Sequence, residues 1–228
     1  MRGFAGAFSA IAGWLYVMLG TNLLLGLTCL PFWVLAVFVD LRSSWLWLVV
    51  TSVLLSPALT GAYAVFRGHF LDDSQAVLGP YFAAWGRSWR RLWPVTLGFV
   101  GYFTLVIGDW FVVRRYGFGA PALPLAIVLA ALGLATALVA WVGFPARPDL
   151  TRLAIVKAAL YLSVRHAGWS LVSLLALGVL ASVIWLAPAL GVGLLATPVL
   201  YVVWANSRRI FAVMLPASEF KDDERGSA

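Results

Sequence analysis

An all-α, polytopic membrane fold of about six crossings follows from three properties of this 228-residue sequence. Apolar residues make up 63% of it and charged residues only 11%. An average soluble domain carries roughly 25% charge, so no water-soluble fold of this size could hide the apolar surface, and the solvent must be lipid. The apolar residues fall in uncharged runs long enough for the ~20-residue helix that a bilayer core demands. The basic residues, which give a net charge of +7, sit at the ends of those runs. That is the pattern of loops meeting anionic headgroups. No basic stripe is long enough to track phosphates, which argues against a nucleic-acid partner.

The chain reads as one transmembrane domain, 1–216, and a charged, disordered cytoplasmic tail at 217–228. Residues 1–14 place Phe4, Phe8 and Ile11 at helical spacing behind Arg2, predicting a short interfacial helix that leads into a first span at 15–39. That run exceeds the ~7–15 residues of a signal-peptide core, so the first span is retained. Cys29, the only cysteine, lies inside it, and one thiol supports neither a disulfide nor a paired redox site. Asp40, Arg42, Ser43 and Ser44 form a polar turn beside Trp45 and Trp47, and a second span follows at 44–66.

Between 67 and 92, Phe82, Trp85, Trp89 and Trp93 recur every three or four residues, with Arg87, Arg90 and Arg91 in the same turns. This predicts an amphipathic helix at the membrane surface, its arginines either snorkelling to headgroups or gripping a substrate. The third span is 93–112, near Asp109, Arg114 and Arg115; the fourth is 121–144, opened by Pro121 and Pro124. A second amphipathic helix is expected at 149–166, with Asp149 as N-cap and Leu153, Val156, Leu160 and Val164 on one face. The uncharged stretch 167–207 would be about 60 Å long as one helix, twice the bilayer core. Pro188 and Gly191 divide it into spans at 168–187 and 190–206.

With six spans and a cytoplasmic N-terminus, 13 of the 16 basic residues fall inside, leaving Arg42, Arg114 and Arg115 outside. That bias places both termini in the cytoplasm of a multi-pass plasma-membrane protein. Trp14, Trp93 and Trp169 each open an outgoing span, and Pro57, Pro145 and Pro198 each lie toward the cytoplasmic half of a returning one. Segments 56–70 and 197–211 share proline, leucine, alanine, arginine and phenylalanine at matched offsets. Three pseudo-repeated helical hairpins with interfacial amphipathic helices would produce such a pattern. The prolines, with Thr60, Thr197 and Asn206 beside them, mark candidate kinks: bent helices that pack, or a polar central site.

The chemistry of catalysis is sparse. No carboxylate falls at the middle of a span, which counts against a proton-coupled carrier. His69 and His166 form no spaced ligand set, and there is no phosphate-cradling glycine loop or nucleophile elbow. No cofactor or enzymatic activity is expected. The candidate functional positions are Pro57, Thr60, Pro145, Thr197, Pro198 and Asn206, and an interfacial basic cluster of Arg87, Arg90, Arg91 and Arg165.

Several of these segments resemble the YesL family of bacterial integral membrane proteins, a domain family of unknown function. The likeness is carried by Asn22-Leu23-Leu24, by Pro57-Ala58-Leu59-Thr60-Gly61-Ala62-Tyr63 before Arg67, and by the Phe82 to Arg91 helix. It continues in Phe144-Pro145, Lys157-Ala158-Ala159-Leu160, Arg165-His166, and the closing Asn206, Arg208, Arg209 and Phe211. The resemblance implies a bacterial membrane protein linked to carbohydrate uptake and utilisation, and assigns no functional residue. Two readings result. One is a non-catalytic accessory component that meets anionic headgroups, and a sugar transporter component, through its basic loops. The other is a small-molecule permease or channel, with a sugar path between proline-kinked helices.

Overall fold

The computed structural model describes residues 2–38, 46–47, 49–72, 74–117, 119–147 and 149–214, and every regular element among them is helical. The expected turn at 40–44 and the tail at 217–228 lie outside the described residues. Six segments are long and apolar enough to cross a membrane: Ile11–Thr28, Val49–Asp72, Trp93–Arg115, Ala120–Ala146, Ala167–Leu186 and Pro188–Met214. The chain is a multi-pass helical membrane protein.

Helix ends differ from expectation where charge served as their marker. Helix α1 (Arg2–Thr28) runs unbroken through the residues expected to form a separate interfacial helix. The break comes instead at Cys29, and α2 (Leu30–Phe38) follows. Pro31 has no N–H to give the Leu27 carbonyl, so the ladder loosens at that turn. After a 3₁₀ turn at Ser52–Leu54, α3 (Leu55–Asp72) continues past Arg67 and His69, well beyond the expected end at 66. Charge marks where lipid ends; the hydrogen-bond ladder runs on into the interface.

Helix α4 (Leu78–Arg91) and α5 (Trp93–Arg115) are separated by Leu92 alone. Helix α6 (Gly119–Ala146) returns after a turn in which Gly117 takes a φ of 84°, a region open to glycine without steric cost. The pattern then recurs: α7 (Arg152–Arg165), 14 residues long like α4, is separated from α8 (Ala167–Leu186) by His166 alone. The last crossing turns at Pro188–Leu190, widens into a π-helical turn at Gly191–Leu195, and continues as α9 (Ala196–Phe211).

Two expectations for α7 are corrected. Its N-cap is Thr151, in extended backbone geometry, whose hydroxyl accepts from the Ala154 N–H at 3.3 Å; Asp149 instead pairs with Arg147 at 2.7 Å. Of its expected apolar stripe, Leu153, Leu160 and Val164 are exposed, at 63%, 42% and 58%, and only Val156 packs against the core, beside the buried Ile155, Ala159 and Leu162. Helix α7 is therefore apolar on two faces, one packed on its neighbours and one turned outward.

Helices α3, α6 and α9, the three returning crossings, touch one another and form the centre. Phe66, Val139, Val203 and Phe211 there are at most 1% exposed. The outgoing α5 and α8 lie outside them and turn Leu105, Leu171 and Val179 to lipid. Helix α4 docks on α3, and α7 on α6, so each interfacial helix packs against the crossing that precedes it. The first unit departs from this plan, because α1 has no break between an interfacial segment and its span.

Candidate functional site

The returning crossings and α4 enclose a vestibule of about 770 Å³ at one end of the bundle. Helix α3 contributes Thr60, Tyr63, Arg67 and Leu71, a spacing of three or four residues that keeps all four on one face. Helix α4 contributes Ala84, Arg87, Ser88 and Arg91 by the same rule, and α9 contributes Trp204 and Arg208. The end of α6, at Phe144 and Pro145, closes the remaining side. From Thr60 to Arg67 the helix rises about 10 Å, so arginines ring the mouth and hydroxyls lie deeper.

Close packing holds α4 in place. Gly61 admits the Tyr81 ring so closely that a Cβ there would lie 3.0 Å from it. Tyr81 is fully buried, with its hydroxyl 2.7 Å from Thr28 Oγ1. Thr28 gives its own proton to the Leu24 carbonyl, so Tyr81 is the donor. One tyrosine thereby ties the interfacial helix to both crossings of the first hairpin. Gly143 has the parallel role in α6, where a Cβ would meet Phe211 of α9 and Ile155 of α7.

The mouth is strongly basic: among the described residues, Arg67, Arg87, Arg91 and Arg208 share its wall with one carboxylate, Asp72. Arg208 lies over the Phe70 ring at 4.6 Å and the Trp204 ring at 5.9 Å. Such contacts hold the guanidinium against the aromatic wall of the mouth. Deeper in, Thr60 donates to the Ser56 carbonyl and Ser88 to the Ala84 carbonyl, each at 2.9 Å. Both oxygens retain lone pairs. The Tyr63 hydroxyl is buried in the same wall and has no hydrogen-bond partner among the described residues.

The chain matches no family model, no curated protein and no solved structure.

Of the candidate kink positions, Thr60 and Pro145 line the vestibule. Pro57 is the third residue of α3 and Pro198 the third of α9, so neither bends the middle of a helix. The irregular backbone precedes each: a 3₁₀ turn before Pro57 and a π turn before Pro198. The hydroxyl before each proline is engaged by other crossings. Ser56 Oγ accepts from Thr96 Oγ1 at 2.7 Å and from the Trp141 indole N–H at 2.9 Å. Thr197 donates to Asn22 Oδ1 at 3.0 Å, and Asn22 Nδ2 donates to the Val192 carbonyl of the π turn at 2.8 Å. Asn206 donates to Ser173 Oγ at 3.3 Å, away from the vestibule.

Of the basic cluster, Arg87 and Arg91 line the site, while Arg90 and Arg165 do not. Sequence reasoning left out Arg67 and Arg208. A signal for them existed: they lie 141 residues apart, the offset that also relates Pro57 to Pro198.

Proposed function

We propose that this chain is a non-catalytic membrane protein that holds an anionic ligand or partner at its cytoplasmic face without conducting it across the bilayer. The observation that carries this reading is the closed floor of the vestibule. Below Thr60 lie Ser56, Thr96 and Trp141, each no more than 5% exposed, with Thr96 and Trp141 both donating to Ser56. A permease needs a polar path that water can reach, and the other hydroxyl and amide groups expected to line one, Thr197 and Asn206, are buried on protein partners. The arginines supply the orientation, because basic loops stay inside. Both termini then lie in the cytoplasm, inaccessible to an external tag in intact cells.

The likeness to YesL proteins supports a carbohydrate-linked role, in which the arginine-bearing face docks a component of a sugar transporter. The test is flux. Liposomes holding the purified chain should release a labelled oligosaccharide no faster than protein-free liposomes. Release that scales with the amount of protein would replace the accessory reading with the permease.

A further inference from the structure

We infer that the vestibule is a binding site for a hydroxyl-bearing phosphate monoester, carried either by a soluble compound or by a lipid headgroup. Among the described residues, four guanidinium side chains against one carboxylate give the wall a positive excess that draws a ligand with more than one negative charge. A carboxylate presents two oxygens and a single charge, which one arginine fork can satisfy. A phosphate monoester presents three terminal oxygens and nearly two charges, which several forks can share. Arg208 is held at the cavity wall by its contacts with the Phe70 and Trp204 rings.

The second observation is Tyr63. Its side chain is 2% exposed, lines the cavity, and carries a hydroxyl with no partner among the described residues. Burying a donor with no acceptor is costly, and a ligand oxygen removes that cost. Thr60 and Ser88 have committed their protons to their own helices, so their oxygens are left to accept. Ligand hydroxyls provide the matching donors. Charge recognition at the rim and hydroxyl recognition below it describe a phosphorylated polyol, and about 770 Å³ accommodates one.

This deepens the accessory reading by naming what the vestibule holds. Binding is measured in detergent and flux in liposomes, so either can fail without the other. The full chain in an uncharged maltoside detergent is titrated with glucose 6-phosphate and with glucose by calorimetry. In a second arm it is exposed to phosphatidylinositol 4-phosphate and to phosphatidylinositol, and retained lipid is read by native mass spectrometry.

At least one phosphorylated compound should bind about tenfold or more tightly than its unphosphorylated twin. Preference in the first arm alone assigns a soluble ligand, in the second alone a headgroup, and in both the shared chemistry. Arg67→Gln with Arg208→Gln should lower affinity by about tenfold or more, and Tyr63→Phe by a few-fold. Arg165→Gln, an exposed position outside the cavity, should change nothing. If the double glutamine variant does not fold, Arg67→Lys with Arg208→Lys keeps the charge, removes the forks, and should still lose most of the affinity. No preference in either arm, or a preference that survives in folded arginine variants, overturns the assignment.

Discussion

Replacing Gly61 by alanine tests whether α4 is fixed where the vestibule needs it. The added Cβ would lie 3.0 Å from Cδ2 and Cε2 of Tyr81 and 3.1 Å from Cγ, where carbon atoms prefer about 3.5–4.0 Å. The ring cannot swing aside, because Tyr81 is fully buried and its hydroxyl is held 2.7 Å from Thr28 Oγ1. Helix α4 must therefore retreat by about half an ångström. Overpacking of this kind costs about 1–3 kcal/mol, and the better helix propensity of alanine returns up to about 1 kcal/mol. Gly61→Ala should then destabilise by about 1–2 kcal/mol. In a Tyr81→Leu background the ring is absent, and the same change should be neutral or stabilising by up to about 1 kcal/mol. Reversible unfolding in mixed micelles, followed by circular dichroism, gives the four stabilities of the cycle. A coupling near zero, with Gly61→Ala behaving alike in both backgrounds, would mean that α4 is not docked on Gly61.

Two further perturbations follow from the hydrogen bonds. Ser56→Ala should cost only about 0.5–1.5 kcal/mol, because Trp141 still reaches the residue-56 carbonyl at 3.1 Å and Thr96 the Leu92 carbonyl at 3.1 Å. Asn22→Leu should cost more, about 1–3 kcal/mol, since Thr197 loses its acceptor and Val192 its donor; unfolding in the same micelles ranks the two, and the reverse order refutes the assignment. In the exposed link before α7, the Arg147 guanidinium holds the Asp149 carboxyl down, from an ordinary value of about 3.9 to about 2. Because that pKa is depressed on folding, the pair's contribution is complete above the unfolded value and disappears as pH falls through about 2. Carbon-13 spectra should show Asp149 titrating near 2 in the wild type and close to its ordinary value in Arg147→Gln.

The crossings were legible because a bilayer imposes one demand on sequence, an uncharged run of about 20 residues. Helix ends were not, and Arg67 shows why. Charge there reports the lipid boundary, while the ladder of α3 runs on to Asp72. The exposed Leu153 and Val164 of α7 show a second limit. Amphipathic reasoning expects one apolar face, whereas α7 also buries Ile155, Ala159 and Leu162 on another. For the vestibule, Arg87 and Arg91 stood out because aromatic neighbours surround them in sequence. Arg67 and Arg208 have no such local cluster and are marked only by their matched offsets in two distant segments. They meet because α3 and α9 pack directly against each other, and the only trace of that in the sequence is the 141-residue offset they share with Pro57 and Pro198.

The polar residues of this protein divide by depth into two jobs. A proline in a membrane helix leaves a carbonyl without its N–H, and hydrocarbon offers no substitute donor. At Pro57 and Pro198 the backbone responds alike, with an irregular turn just before the proline and a hydroxyl that bonds another crossing. Neutral groups suffice for that purpose, and a carboxylate at the same depth would add a desolvation cost with no structural return. The charged groups lie further along the same helices, where Arg67 and Arg208 follow Ser56 and Thr197 by the same eleven residues, about 16 Å of helix. One periodic plan thus places a dry, hydrogen-bonded lock beneath an arginine mouth. On the proposed function, a ligand held at that mouth meets a floor, so one geometry accounts for both the binding and the lack of conduction in that proposal.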